Sequence, residues 1–358
     1  MQKTIAVLAG DGIGPEVMSQ AIRVLNTIAD KFNHHFTLIE GAIGGAAFDK
    51  YNQHFPQETK QICEQSDAIL FGSVGGPVKD AHLPKWQNCE KNSLLSLRKT
   101  LNLNANLRPA QIYPALQELS PLKSTLTAQG VDILIVRELI GDIYFGEHKQ
   151  FLQNGIRHAT DVAEYNEHQI ASVAERSFQL ARKRKQKITS VDKANVLDTS
   201  KLWREVVSEV AKKYPDVKCE HMLVDNCAMQ LFINPGQFDV ILTSNLFGDI
   251  LSDAAAALPG SLGLMPSASL SESGLNLYEP SGGSAPDLTG QNIANPIAQI
   301  LSVALMLRFS FDLYAEAERI ETAIQKALNA GYRTRDIYSD GKKSVGTTEM
   351  TDAILQYC

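Results

Sequence analysis

The sequence predicts an α/β protein with a largely parallel sheet. Apolar runs that read as strands alternate along the chain with segments of helical periodicity. The first run, "TIAVLAG", is apolar enough to be buried on both faces. The composition, 44% hydrophobic and 21% charged, is that of a folded globular chain rather than a disordered one. At 358 residues the chain suits two or three domains with substantial cores.

In chain order, "TIAVLAG" is the opening strand and residues 15–32 form a helix entered through Pro15, a residue suited to the first helical turn. "HFTLIEG" and "DAILFGS" read as further strands. Residues 72–88 are rich in Gly and Pro and read as a long loop. "VDILIVRE", "KITSVDKA", "VKCEHMLVDN" and "FDVILTSN" continue the strand pattern, each beside a helical segment. Residues 258–292, dense in Gly, Pro and Ser, read as a second long loop, of a length that in a compact protein points to function or disorder.

A net charge of −6 argues against a nucleic-acid partner, which needs a basic surface. The one basic cluster, Arg182 to Lys185, closes the helical pattern "QIASVAERSFQLARKRKQK", where cations favour the helix dipole. Five cysteines, odd in number and never spaced C-x-x-C, fit reduced thiols in a cytoplasmic enzyme better than a disulfide frame or a zinc site. The opening "MQKTIAVLAGDG" lacks the pattern of a signal peptide. The longest apolar stretch is broken by Pro259, Gly260, Gly263 and Pro266, so no membrane span is expected.

Gly10, Gly12 and Gly14 resemble a dinucleotide fingerprint but run G-x-G-x-G, with Pro15 where the third fingerprint glycine belongs. The spacing fits a tight strand-to-helix turn, with Glu16 and the glycines shaping one wall of a site, better than a complete phosphate cradle.

Three groups of residues carry chemistry. Asp249 and Asp253 lie four apart in a helical pattern, so both carboxylates project from one face, and Asp225 ends the strand-like "VKCEHMLV". Such acids suit Mg²⁺, which takes one or two carboxylates plus substrate oxygens. The same spacing also describes a solvated helix face, but the apolar setting "NLFGDIL" demands a compensating charge for Asp249. Arg98, Arg108 and Arg137 stand near the ends of predicted elements. Each alone fits a structural salt bridge; together they suit a di- or tricarboxylate, which guanidinium forks grip bidentately. Lys193 follows a strand, where desolvation can lower its pKa enough for it to act as a base, and Tyr144 offers a phenolic proton.

Seven segments, from "LAGDGIGPEV" through "LLSLRK…NANLRP", "VRELIGDIYFGE", "SVDKANVL", "VDNCAMQL" and "SNLFGDILSD" to "LYEPSGGSAPDLTGQNIANPIAQILS", resemble in order the β-decarboxylating dehydrogenases of the isocitrate/isopropylmalate dehydrogenase family. The resemblance runs from residue 4 to about residue 355. It implies a two-domain isopropylmalate dehydrogenase-like fold that is not a Rossmann fold. Residues 1–103 plus 260–358 would form the larger, cofactor-binding domain, and 104–259 a smaller one carrying metal ligands, base and dimer contacts.

It further implies NAD as cofactor and Mg²⁺ or Mn²⁺ held by Asp225, Asp249 and Asp253. The first loop would border the nicotinamide and "EPSGGSAPDLTGQNIAN" the adenosine, with contacts from Gly76, Glu90, Gly283, Ser284, Ala285, Pro286, Asp287 and Asn295. Asp287 would accept from the ribose hydroxyls and repel a 2′-phosphate, favouring NAD over NADP. Asn295, ahead of Pro296, also reads simply as a helix cap.

The resemblance assigns the substrate to Arg98, Arg108, Arg137, Asp225, Glu90, Leu94, Leu95 and Val196, with Lys193 as base and Tyr144 as acid. Glu90, Leu94 and Arg98, spaced by four, are expected on one helical face that offers a carboxylate, an alkyl surface and a guanidinium. Leucines cannot pair an extra carboxylate but gain roughly 0.8 kcal/mol per buried CH₂ of an alkyl group. The implied reaction is oxidative decarboxylation of 3-isopropylmalate, a step of leucine biosynthesis, by a cytoplasmic homodimer whose site is shared between protomers. Sister substrates (isocitrate, homoisocitrate, tartrate, malate), a redox-free decarboxylase and a silent nucleotide-binding protein remain as alternatives. The chain departs from the family at Gly282, where relatives carry a histidine on adenine, at Asn104, in place of an aromatic, and at Asp142, in place of a glycine.

Overall fold

A computed structural model describes residues 1–358, which divide into two compact units. The first comprises Met1–Leu103, Tyr113–Pro121 and Pro259–Cys358; the second comprises Asn104–Ile112 and Leu122–Leu258. Residues 113–121, inside the expected 104–259 segment, belong to the first unit, whose buried Arg333 donates from Nη2 to the Ala115 carbonyl at 2.6 Å.

In the first unit the strands lie in the order His35–Glu40, Gln2–Gly10, Ala68–Ser73, Leu277–Pro280, Pro266–Ser271. The first four are parallel and the last pair is antiparallel. The apolar run "TIAVLAG" occupies the middle of Gln2–Gly10, whose Ile5 to Leu8 are almost wholly buried. The following helix, Gly14–Phe32, has Pro in its first turn and ends on Asn33 in the left-handed conformation. Its buried stripe of Val17, Ala21, Val24, Leu25 and Ile28 packs against the largely apolar helix Ile297–Ser310.

The expected loop 258–292 in fact contributes two strands, Pro266–Ser271 and Leu277–Pro280. Serines at 267, 269 and 271 hid the first of them from a hydrophobicity pattern, yet every residue of it is buried. A Gly274 with φ of 90° turns the chain between the two.

In the second unit the order is Leu103–Gln111, Asp132–Glu138, Val240–Thr243, Lys187–Asp192, Lys218–Leu223. The first pair is antiparallel and the rest parallel. Helix Glu167–Arg182 starts with a reciprocal capping box between Asn166 and Gln169. The basic cluster after it serves in ion pairs: Arg182 with Asp216, and Arg184 with Asp132 and Asp239. The sequence reading missed an antiparallel hairpin, His148–Gln153 and Ile156–Asp161, whose residues are all exposed. Asp225 lies in the first turn of helix Val224–Ile233 rather than at the end of the preceding strand.

No helix is long and apolar enough to cross a membrane, and all five cysteines are free thiols.

Candidate functional site

The opening glycines make a close approach between backbones. Gly10 (φ 73°) and Gly12 (φ 58°) are left-handed, and a Cβ would strike the carbonyl oxygens of Ser73 and Ser284 respectively. The Ile13 amide donates to the Ser284 carbonyl at 2.8 Å, binding the turn to the Gly/Ser-rich segment. Asp11, which the sequence reading passed over, is buried and accepts from the amides of Gly45 and Ala46 at 2.8 Å and Gly75 at 3.0 Å. Its carboxylate thereby caps the helix Gly44–Tyr51 and fixes the loop bearing Gly76. The Trp86 ring lies directly over Gly76.

Beside this turn lies a cavity of 520 Å³ within the first unit. Ile13, Val17, Leu262, Leu288 and Ile293 give it an apolar surface suited to a flat aromatic ring. Of the expected cofactor residues, Gly283, Ala285 and Asn295 line it. Asp287 is exposed on the short turn between Ala285 and Leu288, both of which are walls. Asn295 caps: its Oδ1 accepts from the Ile297 amide at 3.0 Å, while its Nδ2 donates to Asp336 at 3.0 Å. Gln299, also in the wall, keeps a buried Oε1 without a partner. An apolar slot with few convergent polar groups fits the adenosine half of a dinucleotide.

Arg98 belongs to this unit and is 6% exposed, its Nη2 held by the buried Glu279 at 3.0 Å. Its Nε is buried without a partner. Glu90, Leu94 and Arg98 lie along a π-helical turn, Lys91–Leu95, that runs directly into the α-helix Ser96–Thr100. Leu94 and Arg98 are buried, Leu95 is half-buried and Glu90 is exposed.

The second unit gathers five of the predicted residues. Helix Asn245–Ala256 carries Asp249 and Asp253 one turn apart, and strands Leu103–Gln111 and Asp132–Glu138 carry Arg108 and Arg137. Arg108 Nη1 donates to Asp253 Oδ1 at 2.9 Å and Arg108 Nη2 lies 3.8 Å from Asp249 Oδ1. Arg137 Nη1 pairs with that same Asp249 oxygen. The Tyr144 hydroxyl donates to Asp249 Oδ2 at 2.8 Å, and the Arg137 guanidinium sits 5.6 Å from the Tyr144 ring centre. The arginines therefore supply the charge that Asp249 needs in its apolar surroundings. Burial, and then Asp249, raise the pKa of Tyr144, so the phenol keeps its proton.

Lys193 and Asp225 form their own ion pair at 3.1 Å, and the hydrogen bond from Lys193 lowers the pKa of Asp225. Val196 is 62% exposed on the same loop. No group of three acidic, histidine or cysteine side chains suited to a metal forms within a single chain. Asp249 and Asp253 are hard oxygen donors and fit Mg²⁺ or Mn²⁺ by donor chemistry, as two ligands of a set that Asp225 does not complete within one chain.

Sequence reasoning missed the supports of this cluster. Asp142 has φ of 69°, in the position noted above as departing from glycine, and its carboxylate accepts from the amides of Ile143 at 2.8 Å and Leu246 at 3.1 Å. Glu138 is fully buried and burial pushes it up to about 7, against the lowering effect of the hydrogen bonds it accepts from Ile140, Gly141 and Tyr165. A carboxylate directly after Arg137, closing the apolar run "DILIVRE", was the available signal.

The sequence pattern of the family described as isocitrate/isopropylmalate dehydrogenase matches residues 4–354. The 3-isopropylmalate dehydrogenase of Clostridium acetobutylicum is 51% identical over 351 residues, covering 98% of each chain. That of Escherichia coli (strain K12) is 53% identical over 354 residues, covering 99% of this chain and 97% of the relative. Among solved structures, isocitrate dehydrogenase from Methylococcus capsulatus superposes with a TM-score of 0.87 at 31% identity, covering 99% of both chains. The chain belongs to the isocitrate/isopropylmalate dehydrogenase family.

Proposed function

We propose that this chain catalyses the NAD-dependent, Mg²⁺- or Mn²⁺-dependent oxidative decarboxylation of (2R,3S)-3-isopropylmalate to 4-methyl-2-oxopentanoate and CO₂, in leucine biosynthesis. The observation that carries the reading is the joint cluster of Arg108, Arg137, Asp249, Asp253 and the Tyr144 hydroxyl. It sets guanidinium forks for a diacid beside carboxylates for a divalent ion. Relatives about half identical over nearly the whole chain bear the name of that dehydrogenase.

Arg98, Arg108 and Arg137 would hold the malate carboxylates. Lys193 would take the proton from the C2 hydroxyl, directly or through water, and Tyr144 would deliver a proton to carbon after CO₂ has left. Bound NAD supplies a hydride acceptor, and the divalent ion supplies a Lewis acid for the C2 oxygen and the adjoining carboxylate. Leu94 and Leu95 would face the isopropyl group, and Val196 and Glu90 would complete the substrate contacts. Gly76, Glu90, Gly283 to Asp287 and Asn295 would contact NAD, with Asp287 on the ribose.

The same reading makes the enzyme a homodimer in which Lys193 and Asp225 serve the partner's site. Supporting it, Met229, Phe232, Ile233 and Ile250 are 41–58% exposed on helices Val224–Ile233 and Asn245–Ala256. Phe151, Leu152 and Ile156 are also exposed on the hairpin. Large apolar side chains of this density mark an association surface. The free thiols suit the cytoplasm.

The test is kcat/KM for 3-isopropylmalate against isocitrate, homoisocitrate, tartrate and malate, with NAD and Mg²⁺. Preference for isopropylmalate supports the reading; preference for isocitrate moves the chain to a sister activity. Sedimentation of a fully active monomer would refute the shared site.

A further inference from the structure

Asn245 opens the helix that carries Asp249 and Asp253, and it is 1% exposed. Its Oδ1 accepts two hydrogen bonds from Arg137, from Nε at 3.0 Å and Nη2 at 2.7 Å. Its Nδ2 donates to the Gly141 carbonyl at 3.2 Å. Its backbone amide donates to the Tyr165 hydroxyl oxygen at 2.9 Å, and that hydroxyl donates to Glu138 Oε2 at 2.9 Å. Glu138 follows Arg137 in the strand and takes the amides of Ile140 and Gly141 at 2.8 and 2.9 Å. The chain of contacts therefore closes on itself: strand to carboxylate, to phenol, to helix start, to guanidinium, and back to the same strand.

We propose that Asn245 and Tyr165 are positioning residues that fix the plane of the Arg137 guanidinium, and with it the binding of the substrate's carboxylate. The proposal rests on the reading above that Arg137 holds a malate carboxylate. The physical basis is geometric. A guanidinium grips a carboxylate bidentately only when its plane is correctly turned, and a long arginine side chain left alone samples many orientations. Asn245 takes the Nε edge through one oxygen, and Asp249 takes Nη1, so two anchors at different corners define the plane. Asn245 itself cannot swing, because its amide nitrogen is tied to Gly141 and its backbone to Tyr165. Tyr165 is held in turn by the Trp203 ring, edge-on at 5.5 Å. Ser244, the residue before the helix, makes no side-chain cap, so Tyr165 and Asp142 satisfy the first helical amides instead. The start of the helix is thus tied to the Arg137 strand and its loop rather than to itself.

The experiment is calorimetric titration of the dimeric enzyme with 3-isopropylmalate plus Mg²⁺, and separately with NAD. Asn245→Leu weakens diacid binding about tenfold while NAD binding stays within about twofold. Asn245→Asp, which keeps the acceptor oxygen for Arg137 but loses the donor to Gly141, recovers diacid binding in part, to about threefold above Asn245→Leu. Tyr165→Phe, a milder change that removes one hydroxyl, weakens the diacid selectively by a smaller factor. Diacid binding unchanged in both Asn245→Leu and Tyr165→Phe overturns the proposal. So does an equal loss of diacid and NAD binding, or failure of Asn245→Asp to rescue. Arg137→Gln separates this from the underlying reading: if it binds the diacid as well as the parent, that reading fails first. If it is defective while the Asn245 variants are normal, the positioning claim alone falls.

Discussion

The Tyr144 hydroxyl donates to Asp249 Oδ2 at 2.8 Å, while Arg137 pairs with the other oxygen of the same carboxylate. One side chain thus aligns the proposed acid with the proposed carboxylate clamp. Burial and Asp249 both raise the phenol's pKa, so Tyr144 is protonated throughout the neutral range. Tyr144→Phe keeps the ring beside Arg137 and removes the hydroxyl, with its proton and its bond to Asp249. We expect kcat to fall by about 10²–10⁴ with diacid affinity little changed. A kcat near that of the parent would exclude Tyr144 as the acid.

Lys193 and Asp225 are 3.1 Å apart, with Asp225 held ionised by the lysine. Lys193→Ala should abolish hydride transfer in a single turnover while metal-dependent diacid binding persists. Single-turnover rates close to the parent's would remove Lys193 from the base role.

Asp287 stands exposed beside two walls of the apolar cavity, Ala285 and Leu288. A carboxylate there favours ribose hydroxyls and opposes a 2′-phosphate. Asp287→Lys should therefore raise KM for NAD more than KM for NADP. An unaltered preference would place the ribose elsewhere.

Glu138 titrates at about 7 in the folded protein against an ordinary value of 4.5, because it is buried. The folded state thus binds a proton that the unfolded chain releases between those values. The stability from this group is complete below 4.5 and is lost as pH rises through about 7, on the order of 3 kcal/mol in all. Melting temperature should fall between about pH 5 and about pH 8, and Glu138→Gln should flatten that slope. A Glu138→Gln profile parallel to the parent's would contradict the assignment.

Much of this architecture was legible in the residues. Runs such as "TIAVLAG" and "DILIVRE" announce buried strands, and the i,i+4 spacing of Asp249 and Asp253 announces their shared face. What escaped notice was set by tertiary partners. Strand Pro266–Ser271 is written in serines whose burial depends on neighbouring strands. The π-helical turn at Lys91–Leu95 leaves no mark in the four-residue spacing of Glu90, Leu94 and Arg98, which reads like any α-helical spacing. Asp11, Asn245 and Tyr165 act through backbone amides and carbonyls distant in sequence, which no local pattern reports. The Gly10–Gly14 spacing reads as a tight turn rather than a phosphate cradle, and two of its glycines admit the Ser73 and Ser284 carbonyls, partners that the spacing does not name.

The most direct measurement is NADH and CO₂ formation from (2R,3S)-3-isopropylmalate, with and without EDTA. The account predicts one NADH and one CO₂ per diacid, complete loss on chelation, and recovery on adding Mg²⁺ or Mn²⁺. Undiminished turnover in EDTA, or CO₂ released without NADH, would contradict it.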